Sequence, residues 1–435
     1  MLKTLVGAFK NKDIRKKILY TLMILVIVRV GSLLPIPGVD TEYFSSLLSG
    51  INTGDLSYLS AFTGGSFERM SLFALSITPY INSSIIMQLL AIAIPKLEEM
   101  QKEGEDGRKK IAAITRYVTI ALALIESIAM AVGFGRSGLI KGYQGFSTLH
   151  YIVSIIVVVA ALTAGSAMLM WLGERITENG VGNGISIVLL INIISGMPSD
   201  FATLYSTFVA PRTIAKGVLA AAIIIAILVV MVVLVCFLQD GERRIPVQYS
   251  QKVSGRKTFG GQSTNIPLKV NTAGVMPVIF ASSLMQFPVI IAQLFGKSYE
   301  WTRYLSSSYW CRISAPKYSI GLILYIVLLI IFAYFYTSIT FNPIEVADNL
   351  KKAGGVIPGI TPGKSTSDYL NNILNYIVFV GAVGLLIIAL IPIMCTGFFN
   401  ASVSFGGTSV IIIVGVVLET LKQIESQMVN RYYKG

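Results

Sequence analysis

The sequence predicts an all-α polytopic membrane protein with ten transmembrane helices, and three observations support this class. The chain has 435 residues, of which 54% are hydrophobic and only 13% charged, which is too apolar for a soluble protein of this length. Many of its apolar runs approach the roughly 20 residues that a helix needs to cross a bilayer. Its Lys and Arg residues cluster at the ends of alternate runs, as the loops on the cytoplasmic side of a membrane do.

Ten apolar segments follow one another along the chain. The fifth is the weakest, because its run "ISIVLLINIISGMP" is short and is interrupted by Gly196 and Pro198. The predicted spans are 18–36, 70–94, 111–134, 149–172, 184–206, 214–238, 273–294, 318–341, 371–393 and 401–421.

The distribution of positive charge predicts the orientation. If the N-terminus is cytoplasmic, the N-terminal tail and the segments that follow even-numbered spans hold most of the 35 Lys and Arg residues. Both termini are therefore expected in the cytoplasm. The net charge of +13 then lies mainly on one face. That charge serves either topology and lipid headgroup contact or the docking of an acidic or RNA-rich partner, and charge alone favours the first of these.

The residues that usually carry catalysis or bind metals are scarce. Cys236, Cys311 and Cys395 lack the spacing of a metal site or a disulfide framework, and His150 is the only histidine. The stretch "GITPGKST" resembles a phosphate-binding loop, but Pro358 stands where that motif requires glycine. We therefore expect no enzyme activity, no cofactor and no metal, so that energy comes from a partner or a gradient.

Two segments of the chain form an internal repeat. "ITPYINSSIIMQLL" (77–90) aligns without a gap on "VMPVIFASSLMQFP" (275–288). They lie in spans two and seven, and the odd separation of five spans predicts an inverted-topology repeat with halves 1–210 and 211–435. The identical pairs are Pro79 and Pro277, Ile81 and Ile279, Ser84 and Ser282, Met87 and Met285, and Gln88 and Gln286.

Span two carries unusual polarity for a membrane helix. Polar groups in a membrane face protein or water rather than lipid, so this helix either forms a gate or packs through small residues. The preceding stretch "DLSYLSAFTGGSFERMS" is too short to cross and is predicted to be re-entrant. Glu126 is an acid inside span three, with three possible roles: a proton or ion site of a transporter, a gate contact, or one member of a structural pair.

Long stretches of the chain resemble the SecY family, the channel subunits of the general protein translocon. They include "RVGSLLPIPGVD", "FTGGSFERMSLFALSITPYINSSIIMQLL", "IPKLEEMQKEGEDGRKK", "WLGERITENGVGNGIS", "PLKVNTAGVMPVIFASSL", "FNPIEVADNLKKAGGVIPGITPG" and "FGGTSVIII", in family order. The resemblance implies an hourglass pore between two inverted five-helix halves in the plasma (inner) membrane. It also implies a plug helix at about 56–68, and a lateral gate of spans two and seven.

The resemblance also implies roles for individual residues. The apolar pore ring would be Ile77, Ile81, Leu189, Ile279 and Ile412. The polar residues of the lateral gate would be Asn82, Glu126 and Asn271. Loops 239–270 and 342–370 would dock the SecA motor and the rRNA of the ribosome through Arg243, Arg244, Arg256, Lys257, Lys351 and Lys352.

The implied partners are SecE and SecG as small subunits, signal peptides, nascent polypeptides and membrane lipids. Two positions depart from the family pattern: Thr361 replaces a usual arginine, and Glu126 replaces a neutral polar residue. The predicted function is a protein-conducting channel driven by SecA or the ribosome, which also releases transmembrane segments into lipid. A secondary transporter with a five-plus-five inverted repeat is the alternative, and a non-channel membrane scaffold is a third hypothesis.

Overall fold

The computed structural model describes residues 9–50, 63–135, 148–210, 214–249, 252–254, 257–259, 263–294, 300–312, 316–399 and 407–432, and most of them are helical. The α-helices are α1 (Lys12–Leu33), α2 (Thr41–Gly50), α3 (Thr78–Ala93), α4 (Pro95–Lys102), α5 (Glu105–Phe134), α6 (Thr148–Asn179), α7 (Gly184–Leu204), α8 (Ile214–Asp240), α9 (Met276–Leu294), α10 (Glu300–Leu305), α11 (Ile320–Thr340), α12 (Pro343–Lys352), α13 (Lys364–Phe399) and α14 (Gly407–Tyr432). The strands are β1 (Glu242–Tyr249), β2 (Lys252–Ser254), β3 (Lys257–Phe259), β4 (Ser263–Lys269) and β5 (Gly355–Val356).

The all-α, multi-span class is confirmed. By length and composition, six helical stretches among the described residues can cross a membrane: those of α5, α6, α7, α8, α11 and α13. Helices α3 and α4 bend by 105° at their junction and make a seventh span if counted as one. Helix α9 contributes a shorter apolar stretch, Met276–Val289. This count is consistent with the ten predicted spans without reaching that number.

The weak fifth span forms a continuous helix. Asn183 caps α7 by accepting hydrogen bonds from the backbone N–H groups of Ile185 and Ser186 at 3.1 and 3.5 Å, which satisfies N–H groups that have no partner inside the helix. Pro198 lies within α7 and does not end it. The helix continues into a π-helical turn, Tyr205–Val209.

The chain divides into two compact units. The first unit comprises Met1–Ile223, Ser283–Leu322 and Pro392–Gly435, and the second comprises Ile224–Ser282 and Ile323–Ile391. This division reflects the density of internal contacts rather than the sequence repeat. The halves 1–210 and 211–435 stay a prediction.

The core of the first unit contains three aromatic rings in edge-to-face contact. Phe44 on α2 lies 5.7 Å from Phe67 and 5.1 Å from Phe134 on α5, measured between ring centroids. Phe67 and Phe134 are 6.4 Å apart. Edge-to-face pairs at these distances add stability beyond the apolar area they bury. The cluster therefore fixes residues 63–70, which precede α3, against two helices.

The two ends of the described chain meet in the first unit. Ile14 on α1 packs with Val181 and Ile424, the latter on α14. Lys17 donates from Nζ to Oε1 of Gln427 at 3.4 Å, and the backbone N–H of Val181 donates to Oγ1 of Thr21 at 3.1 Å. The start of α1 and the last turns of α14 consequently lie close together.

The second unit contains a three-stranded antiparallel sheet in the order β4-β1-β5. Ile245 on β1 pairs with Ile266 on β4, and Gln248 pairs with Val356 on β5. The inner face of the sheet packs on α12 and α13 through buried apolar side chains: Ile245, Val247, Leu268, Leu350, Ile357, Leu370, Ile373 and Ile377. Strands β2 and β3 form a separate two-stranded sheet. The sequence analysis predicted these regions only as loops.

Candidate functional site

The predicted plug, 56–68, is only partly described, because 51–62 lie outside the described residues. Residues 64–77 form a series of turns rather than a regular helix. Their backbone is tied to the segment that follows α1, since Leu72 donates to the Leu34 carbonyl at 2.9 Å and Ile36 donates to the Met70 carbonyl at 3.1 Å. We call 63–77 the entrance segment, because it leads into α3.

The entrance segment ends in a strained turn. Ser76 has a φ of 53° and is almost completely buried. The left-handed region disfavours residues that carry a Cβ. Asn192 on α7 donates from Nδ2 to Ser76 Oγ at 3.1 Å, and Ser166 on α6 donates to the Ser76 carbonyl at 3.5 Å. Two other helices thus hold this turn.

Helix α3 starts directly after that turn. Pro79 lies in its first turn, where a missing N–H costs nothing because it would have no helical partner. The predicted ring residues Ile77 and Ile81 flank Pro79 and are both buried.

The repeat-related segment in the second unit has the same local structure. Gly274 aligns with Ser76 and also lies in the left-handed region, with a φ of 62°. Pro277 follows at the start of α9. Here the turn is supported from within, because Asn271 Nδ2 donates to the Gly274 carbonyl at 2.9 Å.

The two repeat-related segments share a second feature: four residues before each left-handed residue, a helix glycine approaches the backbone of the segment. A Cβ added to Gly165 on α6 would collide with the carbonyl oxygen of Leu72. A Cβ added to Gly381 on α13 would collide with the carbonyl oxygen of Val270, the residue that aligns with Leu72. In each unit, a helix backbone therefore approaches the segment that leads into the repeat helix.

The polarity of α3 is used within the protein. Ser83 donates to the carbonyl of Thr115 on α5 at 2.8 Å, and Gln88 Nε2 donates to Ser84 Oγ at 3.1 Å. Asn82 hydrogen-bonds the carboxyl group of Glu126 on α5, although Oε1 of that carboxyl is buried without a hydrogen-bond partner among the described residues. The structure thus brings together two of the three predicted polar gate residues. The third, Asn271, is buried in the second unit.

All five predicted ring residues are buried. Ile279 belongs to the second unit and the other four belong to the first. Their exposed fractions are 1% for Ile77, 7% for Ile81, 3% for Leu189, 4% for Ile279 and 0% for Ile412. Burial is compatible both with a seal and with ordinary packing, so the ring stays a prediction.

The predicted docking loops form one folded surface, which we call the basic platform: β1, β4 and β5 with α12. The pairing of β1 with β5 joins the two loops. Arg243 and Arg244 are exposed on β1, and Arg244 contacts Glu242 at 2.6 Å. Lys351 and Lys352 are exposed at the end of α12. Lys257 begins β3, and Arg256 lies outside the described residues.

Asn192 and Ser166 were not predicted from the sequence as functional residues. Asn192 lies in the predicted fifth span within "LLINIISG", and a polar residue in such an apolar run is a candidate functional residue. The strands of the platform were missed as well, although Ile245 and Val247 show the inward alternation of a half-buried strand.

The fold and the entrance segment define a class: multi-span helical membrane proteins with an irregular, buried segment that leads into a membrane helix. Solved structures of this class resemble the chain. One, described as the structure of a protein conducting channel, has a TM-score of 0.62 and 18% identity, covering 95% of this chain and 93% of its own. Another, Sec61 in a canine ribosome-channel complex from the endoplasmic reticulum, has a TM-score of 0.60 and 18% identity, with the same coverage of both chains.

The family follows from the sequence matches. The SecY family model matches residues 71–421. The protein translocase subunit SecY of Streptomyces galbus is 44% identical over 444 residues, which covers 100% of this chain and 99% of the relative. The protein of the same name from Halalkalibacterium halodurans is 42% identical over 443 residues, with the same coverage. The chain belongs to the SecY family, and the resemblance seen in the sequence is confirmed.

Proposed function

We propose that this chain is the central protein-conducting channel of a Sec translocon. It passes unfolded secretory polypeptides across the membrane and releases transmembrane segments sideways into lipid. The observation that carries the proposal is full-length similarity, at 44% identity, to a protein translocase subunit. The motive force comes from SecA or the ribosome.

The five ring residues form the seal in this proposal. Branched apolar side chains offer water no hydrogen bonds, so a narrow constriction lined by them tends to empty of water. The same lining gives a passing polypeptide no specific polar grip. Substrates of any sequence can therefore move through the ring, while ions are excluded when it is closed.

Helices α3 and α9 are the two leaves of the lateral gate. The contact between Asn82 and Glu126 supplies polar groups that can exchange partners when the gate opens. The carboxyl oxygen of Glu126 that has no hydrogen-bond partner within the described ranges supports this role, because such a group costs free energy in the resting state and can gain a partner on rearrangement.

Both termini lie in the cytoplasm, and the protein is a multi-pass protein of the plasma membrane. The concentration of Lys and Arg in alternate loops supports this orientation. The proximity of the start of α1 to the end of α14, through Lys17 and Gln427, supports an even number of spans.

The basic platform docks the ribosome and SecA, and SecE and SecG complete the complex. Exposed arginine and lysine contact rRNA phosphates without reading sequence. Thr361 is exposed five residues after the end of β5 and lacks the charge that the family usually has there. We therefore expect a contact with the motor that depends more on Lys351 and Lys352.

A secondary transporter is the less favoured function. It requires convergent polar groups at the membrane midplane. The contact of Asn82 with Glu126 supplies a single acid to such a site, while the proposed constriction is apolar. The similarity to translocase subunits also argues against it.

Reconstitution tests the proposed function. Vesicles that contain this chain with SecE and SecG, supplied with SecA, ATP and a polypeptide bearing a signal sequence, should protect that polypeptide from added protease. A substrate without its signal is the matched control and should remain accessible. Solute uptake driven by an ion gradient, with no protected polypeptide, would favour the transporter instead.

Charge reversal tests the platform. Replacing Arg243 and Lys351 together by Glu should weaken ribosome binding and reduce its dependence on salt, since each lost phosphate contact lowers the salt slope by about 0.7–0.9. Arg175, half-buried near the end of α6 and paired with Glu178 at 2.7 Å, provides a control charge outside the platform. Equal effects of the platform variant and Arg175→Glu would assign the result to general charge.

A further inference from the structure

The strained turn at Ser76 is the feature that the proposed function leaves unexplained. A left-handed conformation costs a residue with a Cβ free energy that glycine avoids. The aligned position in the second unit is glycine, Gly274. Something in the first unit must therefore hold Ser76 in this conformation.

Asn192 provides that support, although burying its polar side chain is itself unfavourable. It is 2% exposed and lies in the apolar helix α7. Its Nδ2 donates to Ser76 Oγ at 3.1 Å, but its Oδ1 is buried and has no hydrogen-bond partner in the described part of the chain. A buried polar group with an unused acceptor is unfavourable relative to an apolar residue. Among the described residues, the bond to Ser76 is the hydrogen bond of this side chain that offsets the cost.

The bond also joins two parts of the proposed seal. Ser76 directly precedes Ile77, and Asn192 follows Leu189 by one helical turn on α7. Helix α7 makes a second contact with the entrance segment, where Ser195 donates to the Gly64 carbonyl at 3.5 Å. Movement of Ser76 away from Asn192 would displace the start of α3, and with it Ile77 and Ile81.

We propose that Asn192 is a positioning residue for the closed channel: through Ser76 it fixes the start of α3 and keeps two ring residues in the sealed position. This inference rests on the proposed function and adds to it a residue that controls the resting state. In the second unit the corresponding turn needs no support from another helix, because Gly274 adopts it without strain and Asn271 bonds to it from the same turn.

The test measures ion conductance through the full chain, reconstituted with SecE and SecG in planar bilayers without a translocating substrate. Asn192→Ala should raise resting conductance about tenfold, because a buried hydrogen bond of this kind changes an equilibrium by about that factor. It should also increase export of a substrate with a defective signal sequence. Ser199→Ala is the matched control, since Ser199 is exposed on the same helix and bonds only within its own turn.

The Ser76→Gly background separates positioning from simple loss of packing. Glycine removes both the hydroxyl and the strain, so Asn192→Ala should change the conductance less than twofold there. An equal rise in both backgrounds would overturn the proposal, as would conductance no higher than that of Ser199→Ala.

Ser76→Ala decides the question if Asn192→Ala does not accumulate. Alanine retains the strain without the hydrogen bond, so it should leak more than Ser76→Gly. Equal leak, or the reverse order, would contradict the proposal. Export of a normal substrate by the wild-type protein is measured in parallel: its absence counts against the proposed function, whereas the ratios between variants test the role of Asn192.

Discussion

The segments leading into α3 and α9 share a plan but differ in how they are held. In both, a helix glycine approaches a backbone carbonyl, Gly165 over Leu72 and Gly381 over Val270. In both, a left-handed residue follows four positions later, at Ser76 and Gly274. The second turn is supported by Asn271, three residues away, whereas the first is supported by Asn192 and Ser166 on other helices.

This difference separates a self-contained turn from one that depends on tertiary structure. The turn at Gly274 has its support in the same segment and keeps it wherever that segment moves. The turn at Ser76 keeps its support only while the entrance segment stays against α6 and α7. The first entrance is therefore the one whose conformation depends on contacts with other helices.

The close approach of the glycine helices gives the largest expected effects. Gly165→Ala and Gly381→Ala each place a Cβ against a backbone carbonyl, which cannot rotate away as a side chain can. Each should destabilise the protein by about 3 kcal/mol, measured as a lower thermal unfolding midpoint in detergent.

Gly196→Ala is the control for these variants. Gly196 lies in α7 with open space around an added Cβ, so alanine should be neutral or stabilising by about 0.5–1 kcal/mol. If Gly165→Ala behaved like Gly196→Ala, the shared plan would be wrong for the first unit. If Gly381→Ala behaved like Gly196→Ala, the shared plan would be wrong for the second unit.

A smaller effect is expected from Gly274→Ala. An added Cβ meets nothing within 4 Å there, so only the left-handed backbone is strained, at a cost of about 1–2 kcal/mol. The thermal unfolding midpoint should fall by less than in Gly381→Ala. A fall as large as that of Gly381→Ala would show that this turn is packed as tightly as the glycine helix and is not self-contained.

Composition and the internal alignment predicted part of what the two segments share. Apolar runs predicted the helices, and the pairs Pro79 with Pro277 and Ile81 with Ile279 predicted related positions. Polar residues in α3 were correctly expected to face protein, as Ser83 and Thr115 show.

The remaining features arise from tertiary structure, so no short stretch of sequence predicts them. Serine has no intrinsic preference for the left-handed region, so the conformation of Ser76 follows from its neighbours. The contact of Gly165 with Leu72 joins residues far apart in the chain. The platform sheet was missed because β5 has only two residues and its partner lies in another loop.

The measurement that tests the central claim most directly is the resting ion conductance of Ile81→Asn with Ile279→Asn, the two ring residues that stand five positions after each left-handed turn. Asparagine gives water hydrogen-bonding groups in the proposed constriction, which branched apolar side chains would otherwise keep dry. Conductance should rise well above that of the wild type, and export of substrates with defective signals should improve. The same substitution at Ile224 and Ile330, apolar positions in α8 and α11 outside the proposed ring, should change neither. Equal leak from both pairs at equal expression would mean general destabilisation and would contradict the assignment of the seal.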